Sequence, residues 1–227
     1  GVEWTSMKRI LPPILLAPIL LLTLLFPSLA FGERWSDLVE REGIHYKKFS
    51  TVPFTGKTTG QIQGTFRNGK RHGPWVIWYS NGQLNIKGTY KDGMKDGPWV
   101  RYQDNGQIDQ KGTYKDNRRE GPWVNYHQNG QLRSKGTYKD GKREGPWISF
   151  HEEDGLWDKG TFKDGWKVGP WIEYHKNGQL ESKGNWKNHK REGPWVDFNK
   201  DGTVREKHTG TYDSLRRRLH RAVRSER

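Results

Sequence analysis

With only 31% hydrophobic residues over 227 positions, 28 glycines and a formal net charge of +14, this chain cannot be built around an ordinary aliphatic core. Its apolar mass is aromatic instead, 12 Trp, 9 Tyr and 8 Phe, more rings than a disordered chain of this polarity would carry. The lack of cysteine excludes a disulfide framework and thiolate metal sites, and the basic balance points to anionic partners.

Residues 1–30 read as an upstream stretch plus a secretory signal. Met7-Lys8-Arg9 is the basic start, Ile10 to Phe26 is apolar, and Ser28 and Ala30 are small residues at −3 and −1 of a cut. The expectation is export to the periplasm, the cell envelope or the medium. An N-terminal membrane anchor is the alternative, because about 20 apolar residues span a bilayer. Against it, Pro12, Pro13, Pro18 and Pro27 interrupt a continuous helix. Residues 31–63 then form an N-terminal cap, in which Ile44 to Gly60 has the look of a degenerate opening hairpin.

From 64 to 212 the chain repeats with a period of 24, as Gly73-Pro74-Trp75 returns at Gly97, Gly121, Gly145, Gly169 and Gly193. Six units and a partial seventh result. Gly64, Gly88, Gly112, Gly136, Gly160 and Gly184 keep the same period, each with an aromatic residue two places later. Asn-Gly at 81, 105, 129 and 177, and Asn-Gly or Asp-Gly at 68, 92, 140 and 164, are turn dipeptides that accept positive φ. The runs between them alternate like strands, so each unit reads as a β-hairpin. Two strands per unit at ~4.8 Å make a ribbon on the order of 60 Å long.

Alternation sorts the residues. Trp99, Arg101 and Gln103 share one face of their strand, and Val100 and Tyr102 the other; in the partner run, Leu132, Ser134, Gly136 and Tyr138 oppose Arg133, Lys135, Thr137 and Lys139. Joining like with like collects Val/Ile, Leu, Tyr/Phe and glycine on a core face, with Trp78, Tyr102, Tyr126, Phe150, Tyr174 and Phe198 inside it. Trp, Lys and Thr then gather on the opposite face. Pro74 and its equivalents would sit where a strand begins, before a ladder donor is required. The shifted turn at Glu152-Glu153-Asp154-Gly155, followed by Trp157, suggests a bulge in the fourth unit.

Two columns are candidate binding residues. Trp75, Trp99, Trp123, Trp147, Trp171 and Trp195 form either a stacking platform or a packing stripe. Lys87, Lys111, Lys135, Lys159 and Lys183 form a cationic stripe, or ordinary solubilising positions. Residues 213–227 add Arg216, Arg217, Arg218 and Arg221 around Leu215, Leu219 and Ala222, a short basic helix that would bind a membrane surface or cap the last strand. His127, His151 and His175 recur about 10 Å apart, too far to share an ion held by ~2 Å bonds. Glu120, Glu144 and Glu192 are likewise too far apart for paired carboxylate chemistry. Catalysis requires one asymmetric constellation, whereas these residues are repeated. The expectation is no enzyme, no cofactor, no metal and no small-molecule substrate.

Lys139-Asp140-Gly141-Lys142-Arg143-Glu144-Gly145 and Asn129-Gly130-Gln131-Leu132 carry a family resemblance. Over about residues 44–212 the chain resembles the bacterial MORN repeat variant family. The resemblance implies an all-β fold, an elongated single-layer antiparallel β-meander of about seven hairpin repeats, and a role in protein or phospholipid binding. Some members of the family are antitoxins of toxin-antitoxin systems. The partner expected first is a protein or an anionic lipid or envelope surface. An antitoxin that neutralises one toxin is the second reading, and a polysaccharide or nucleic-acid binder using the Trp and Lys face the third, with nucleic acid disfavoured as a partner.

Overall fold

The computed structural model describes residues 32–153, 155–205 and 210–212. Among them, one sheet of fifteen strands carries the repeats. Strands β1 (Glu33–Arg34) and β4 (Gly56–Thr59) pair in parallel at its edge, and from β4 onward every neighbour is antiparallel and consecutive in the chain. The meander runs through β5 (Ile62–Arg67), β6 (Lys70–Trp78), β7 (Leu84–Lys91), β8 (Met94–Tyr102), β9 (Ile108–Lys115) and β10 (Arg118–Tyr126). It continues as β11 (Leu132–Lys139), β12 (Lys142–Phe150), β13 (Leu156–Lys163), β14 (Trp166–Tyr174), β15 (Leu180–Lys187), β16 (Lys190–Asp197) and β17 (Gly210–Tyr212). The basic helix expected at 213–227 and the signal at 1–30 lie outside the described residues.

The opening differs from the hairpin expected at Ile44 to Gly60. A separate two-stranded sheet forms from β2 (Leu38–Arg41) and β3 (Ile44–Lys47), because Glu42 and Gly43 both take positive φ and turn the chain back at once. Strand β4 joins the long sheet instead. The small sheet docks through backbone bonds: His45 donates to the Gly69 carbonyl at 2.9 Å, and Gly69 to the Phe54 carbonyl at 2.7 Å. It places Leu38, Phe54 and Trp35 against Phe66 and Trp75, closing the first end of the core.

Two kinds of loop alternate along the ribbon. Asn68-Gly69, Asp92-Gly93, Asp140-Gly141 and Asp164-Gly165 have positive φ at both positions, as a two-residue hairpin loop of the right twist requires. At the Asn-Gly loops only the glycine is left-handed, with φ of 80 to 84° at Gly82, Gly106, Gly130 and Gly178. Tyr79 donates to the Gln83 carbonyl there at 2.8 Å, which makes a longer loop ending in a bulge. That bulge leaves one residue unpaired on the second strand of each such hairpin, as where Arg101 faces Gln110 but Tyr102 faces Ile108. It recurs in units one to five and is not special to the fourth.

One extra residue reverses which faces join. Trp99 pairs with Gly112 and Val100 with Lys111, and the same register holds in the other units. The lysine column therefore lies opposite the tryptophans, and the grouping of Val/Ile with glycine is overturned. Trp78, Tyr102, Tyr126, Phe150, Tyr174 and Phe198 are not the core: Trp78 is exposed and Tyr102, Tyr126, Phe150, Tyr174 and Phe198 are half-buried. Nor does Pro74 open a strand. It sits in the middle of β6, tolerated because Gly73, at φ 72°, bulges the ladder where the proline has no donor.

The core is the tryptophan face. All six repeat tryptophans are 0 to 4% exposed. Each indole lies on the glycine of the preceding strand, Trp123 on Gly112 for example, where a Cβ would overlap the ring. Between successive indoles stands the aromatic residue two places after the glycine. From Phe66 through Trp75, Tyr90, Trp99, Tyr114, Trp123, Tyr138, Trp147 and Phe162 to Trp171, rings meet edge to face with centroids 5.1 to 6.1 Å apart. A one-layer sheet buries its apolar surface this way, by stacking along the ribbon.

Beside the tryptophans, a row of paired positions changes character along the chain. Ile77 faces Ile86, Arg101 faces Gln110, Asn125 faces Ser134, Ser149 faces Asp158, and Glu173 faces Ser182. Lys167 lies 3.5 Å from Asp158 and 3.6 Å from Glu173, and Arg191 lies 3.2 Å from Asp197. The row is apolar at the capped end and ionic at the far end.

Candidate binding face

The two faces of the sheet offer a partner different chemistry. Over the aromatic face lies a row of cations that sequence reading missed: Arg71, Lys95, Arg119, Arg143, Lys167 and Arg191, each 4.0 to 5.1 Å from the centre of its unit's indole. Five of them also reach the next aromatic ring, as Arg119 does at 5.2 Å from Tyr138. Their 24-residue spacing was the available signal. The row roofs the core, with its charge spread over ring faces and its stems covering apolar surface. The six tryptophans beneath it are packing residues whose rings are closed to a ligand. Trp123, Trp171 and Trp195 spend their indole N–H on the carbonyls of Thr113, Thr161 and Asn185.

The opposite face is open. Lys87, Lys111, Lys135, Lys159 and Lys183 are all exposed there. Each stands across from a half-buried Val76, Val100, Val124, Ile148 or Ile172. Exposed Pro74, Pro98, Pro122, Pro146, Pro170 and Pro194 run alongside. In the middle, β10 to β14 enclose a shallow groove of about 640 Å³, lined by prolines, Val124, Ile148, Ile172, Lys135, Lys159, Thr137 and Thr161. Trp78 and Trp166, 37 and 54% exposed, alternate onto this same face. The face thus combines a cationic row, an apolar row and amphipathic rings. Arg216, Arg217, Arg218 and Arg221 lie outside the described residues.

The recurring histidines have a place in the scaffold. His127, His151 and His175 each bring Nε2 to 3.0 Å from the carbonyl of Phe150, Tyr174 and Phe198 in the next unit. A carbonyl only accepts, so that nitrogen donates. Asn81, Asn105, Asn129 and Asn177 likewise donate to carbonyls one unit on, at 2.7 to 3.2 Å. At the other edge, Glu120 and Glu144 accept from the amides of Asp140 and Asp164, at 2.9 and 2.8 Å. Both edges of the ribbon are thereby laced unit to unit. Among the described residues no group of three or more His, Cys, Asp and Glu could hold a metal ion.

Family models match the units directly. The MORN repeat variant matches residues 71–92, 95–116, 119–140 and 167–188, and the MORN repeat matches 135–146 and 183–194. A comparison with curated proteins finds no match. Among solved structures, a GtfA/B complex bound to UDP and GlcNAc is 15% identical over 77% of this chain and 28% of that one, with a TM-score of 0.20, a likeness too slight to draw on. The matched spans coincide with the strand pairs, the glycine and tryptophan columns and both loop types. The repeats of this chain are thus of the MORN repeat variant type, matched in four units.

Proposed function

We propose that this protein is an exported, non-catalytic scaffold whose lysine face lies on an anionic membrane surface. MORN repeats are a binding module for proteins and membranes, and the membrane reading draws its support from one observation. Five exposed lysines recur at the repeat period on a face that also presents valine, isoleucine, proline and two accessible tryptophans. Lysine gives long-range attraction to acidic head groups, roughly 1 kcal/mol for each cation near the surface. Tryptophan suits the boundary between head group and chain, where one end of the ring is wet. A repeated surface matches a target that is itself laterally uniform.

The test is sedimentation with vesicles of phosphatidylcholine alone or mixed with phosphatidylglycerol. Retention on the acidic vesicles at low salt, release as salt rises, and loss of retention when Lys87, Lys111, Lys135, Lys159 and Lys183 are all changed to Gln are expected. Equal retention on neutral vesicles, or none on either, overturns the proposal.

A further inference from the structure

A second exposed apolar feature lies outside the long sheet, in the loop from β3 to β4. Phe49 is fully solvated at 102% exposure, and Val52 follows at 70%. A single exposed hydrophobic residue is ordinary. Phe49, however, holds φ at 66°, the left-handed region that a bulky side chain occupies only at a cost. Glycine would make the same turn without strain, and no described residue covers the ring to compensate.

The loop around it is braced. Lys48 donates its amide to the Asp37 carbonyl and Ser50 to that of Lys47, both at 3.0 Å. Arg41 Nη1 donates to the Ser50 carbonyl at 3.1 Å, and the Val52 amide to Ser50 Oγ at 3.0 Å. A Tyr46 to Pro53 bridge closes the base. An apolar tip is thus presented on a firm stem, with Lys47 and Lys48 directly before it.

We propose that Phe49 and Val52 form a wedge that enters the head-group boundary of an anionic bilayer, a contact separate from the lysine face. This rests on the membrane reading above. Lys47 is held by Glu33 at 2.6 Å, so Lys48 is the flanking cation that matches acidic head groups, and in the sequence this cap follows the apolar run Ile10 to Phe26. Burying a phenylalanine ring contributes attraction that salt does not screen. The wedge therefore governs the part of binding that survives high salt.

Because the chain lacks cysteine, Thr51→Cys carries a single environment-sensitive fluorophore at the tip. Expected are a blue shift on vesicles containing phosphatidylglycerol and, at about 0.5 M salt, a partition coefficient about tenfold lower for Phe49→Ser and Phe49→Gly than for the parent. Phe49→Gly should leave the melting temperature unchanged or raised, since it relieves the backbone. A silent fluorophore on protein that still sediments with acidic vesicles overturns the wedge alone, as does a lowered melting temperature for Phe49→Gly. Failure of the parent to sediment overturns the wedge and the lysine-face reading together.

Discussion

Glycine and tryptophan are the complementary halves of one contact in this fold. Gly112 has no side chain because the Trp123 ring occupies that space, and a Cβ would overlap Cδ2 and Cε2 of the indole. Gly112→Ala is therefore expected to cost about 1–3 kcal/mol through displaced packing, although alanine suits a strand at least as well as glycine. Urea unfolding measures this. The pairing was legible in principle, since the largest and smallest side chains share one period. It was missed because the like-with-like rule joined glycine to valine, when the space above a glycine invites a ring from the neighbouring strand. A second expectation concerns the roof: Arg119→Ala uncovers Trp123 and Tyr138 and should destabilise by roughly 0.5–2 kcal/mol, mainly through lost cation–π contact.

Strands and turns were largely written in the sequence, because Asp-Gly and Asn-Gly fix where the chain reverses and alternation fixes what lies between. Register was not, because an unpaired residue beside the Asn-Gly loop carries no distinctive side chain. Asp109, Arg133, Trp157 and Glu181 all occupy that place. The inversion moved the lysines to the open face and so changed the candidate site itself. Among the separate elements, the cap formed by β2 and β3 is expected to lose stability in acid. His45 is 7% exposed, packed 4.7 Å from Phe66 and 5.3 Å from Trp35, and burial holds its pKa below the ordinary 6.5. Glu40 at 3.4 Å pulls the other way, and Arg71 adds to the depression. A depressed histidine stays neutral when folded while the unfolded chain takes up its proton, so stability falls as pH drops below about 6.5. His45→Phe should flatten that part of the melting-temperature profile. An unchanged slope in the variant would place the acid sensitivity elsewhere.

At the scale of the whole array, each unit touches mainly its neighbours, so stability should be close to a sum over units. Removing residues 119–142, one period, rejoins equivalent positions. The shortened protein should still fold cooperatively, with its urea m-value reduced by roughly a sixth. The proposed binding face is a property of this same scale: no single lysine identifies it, and only the register of the full ribbon puts five on one side. The row beside the tryptophans has a further consequence, through its drift from Ile77 and Ile86 at the capped end to Asp158, Glu173 and Asp197 at the other. Apolar contacts between adjacent strands form without the ion pairing that the far end uses, so the capped end is where the array is expected to start folding. That end leaves the ribosome first. Each later unit then has a finished edge to grow upon, and folding can keep pace with delivery of the chain.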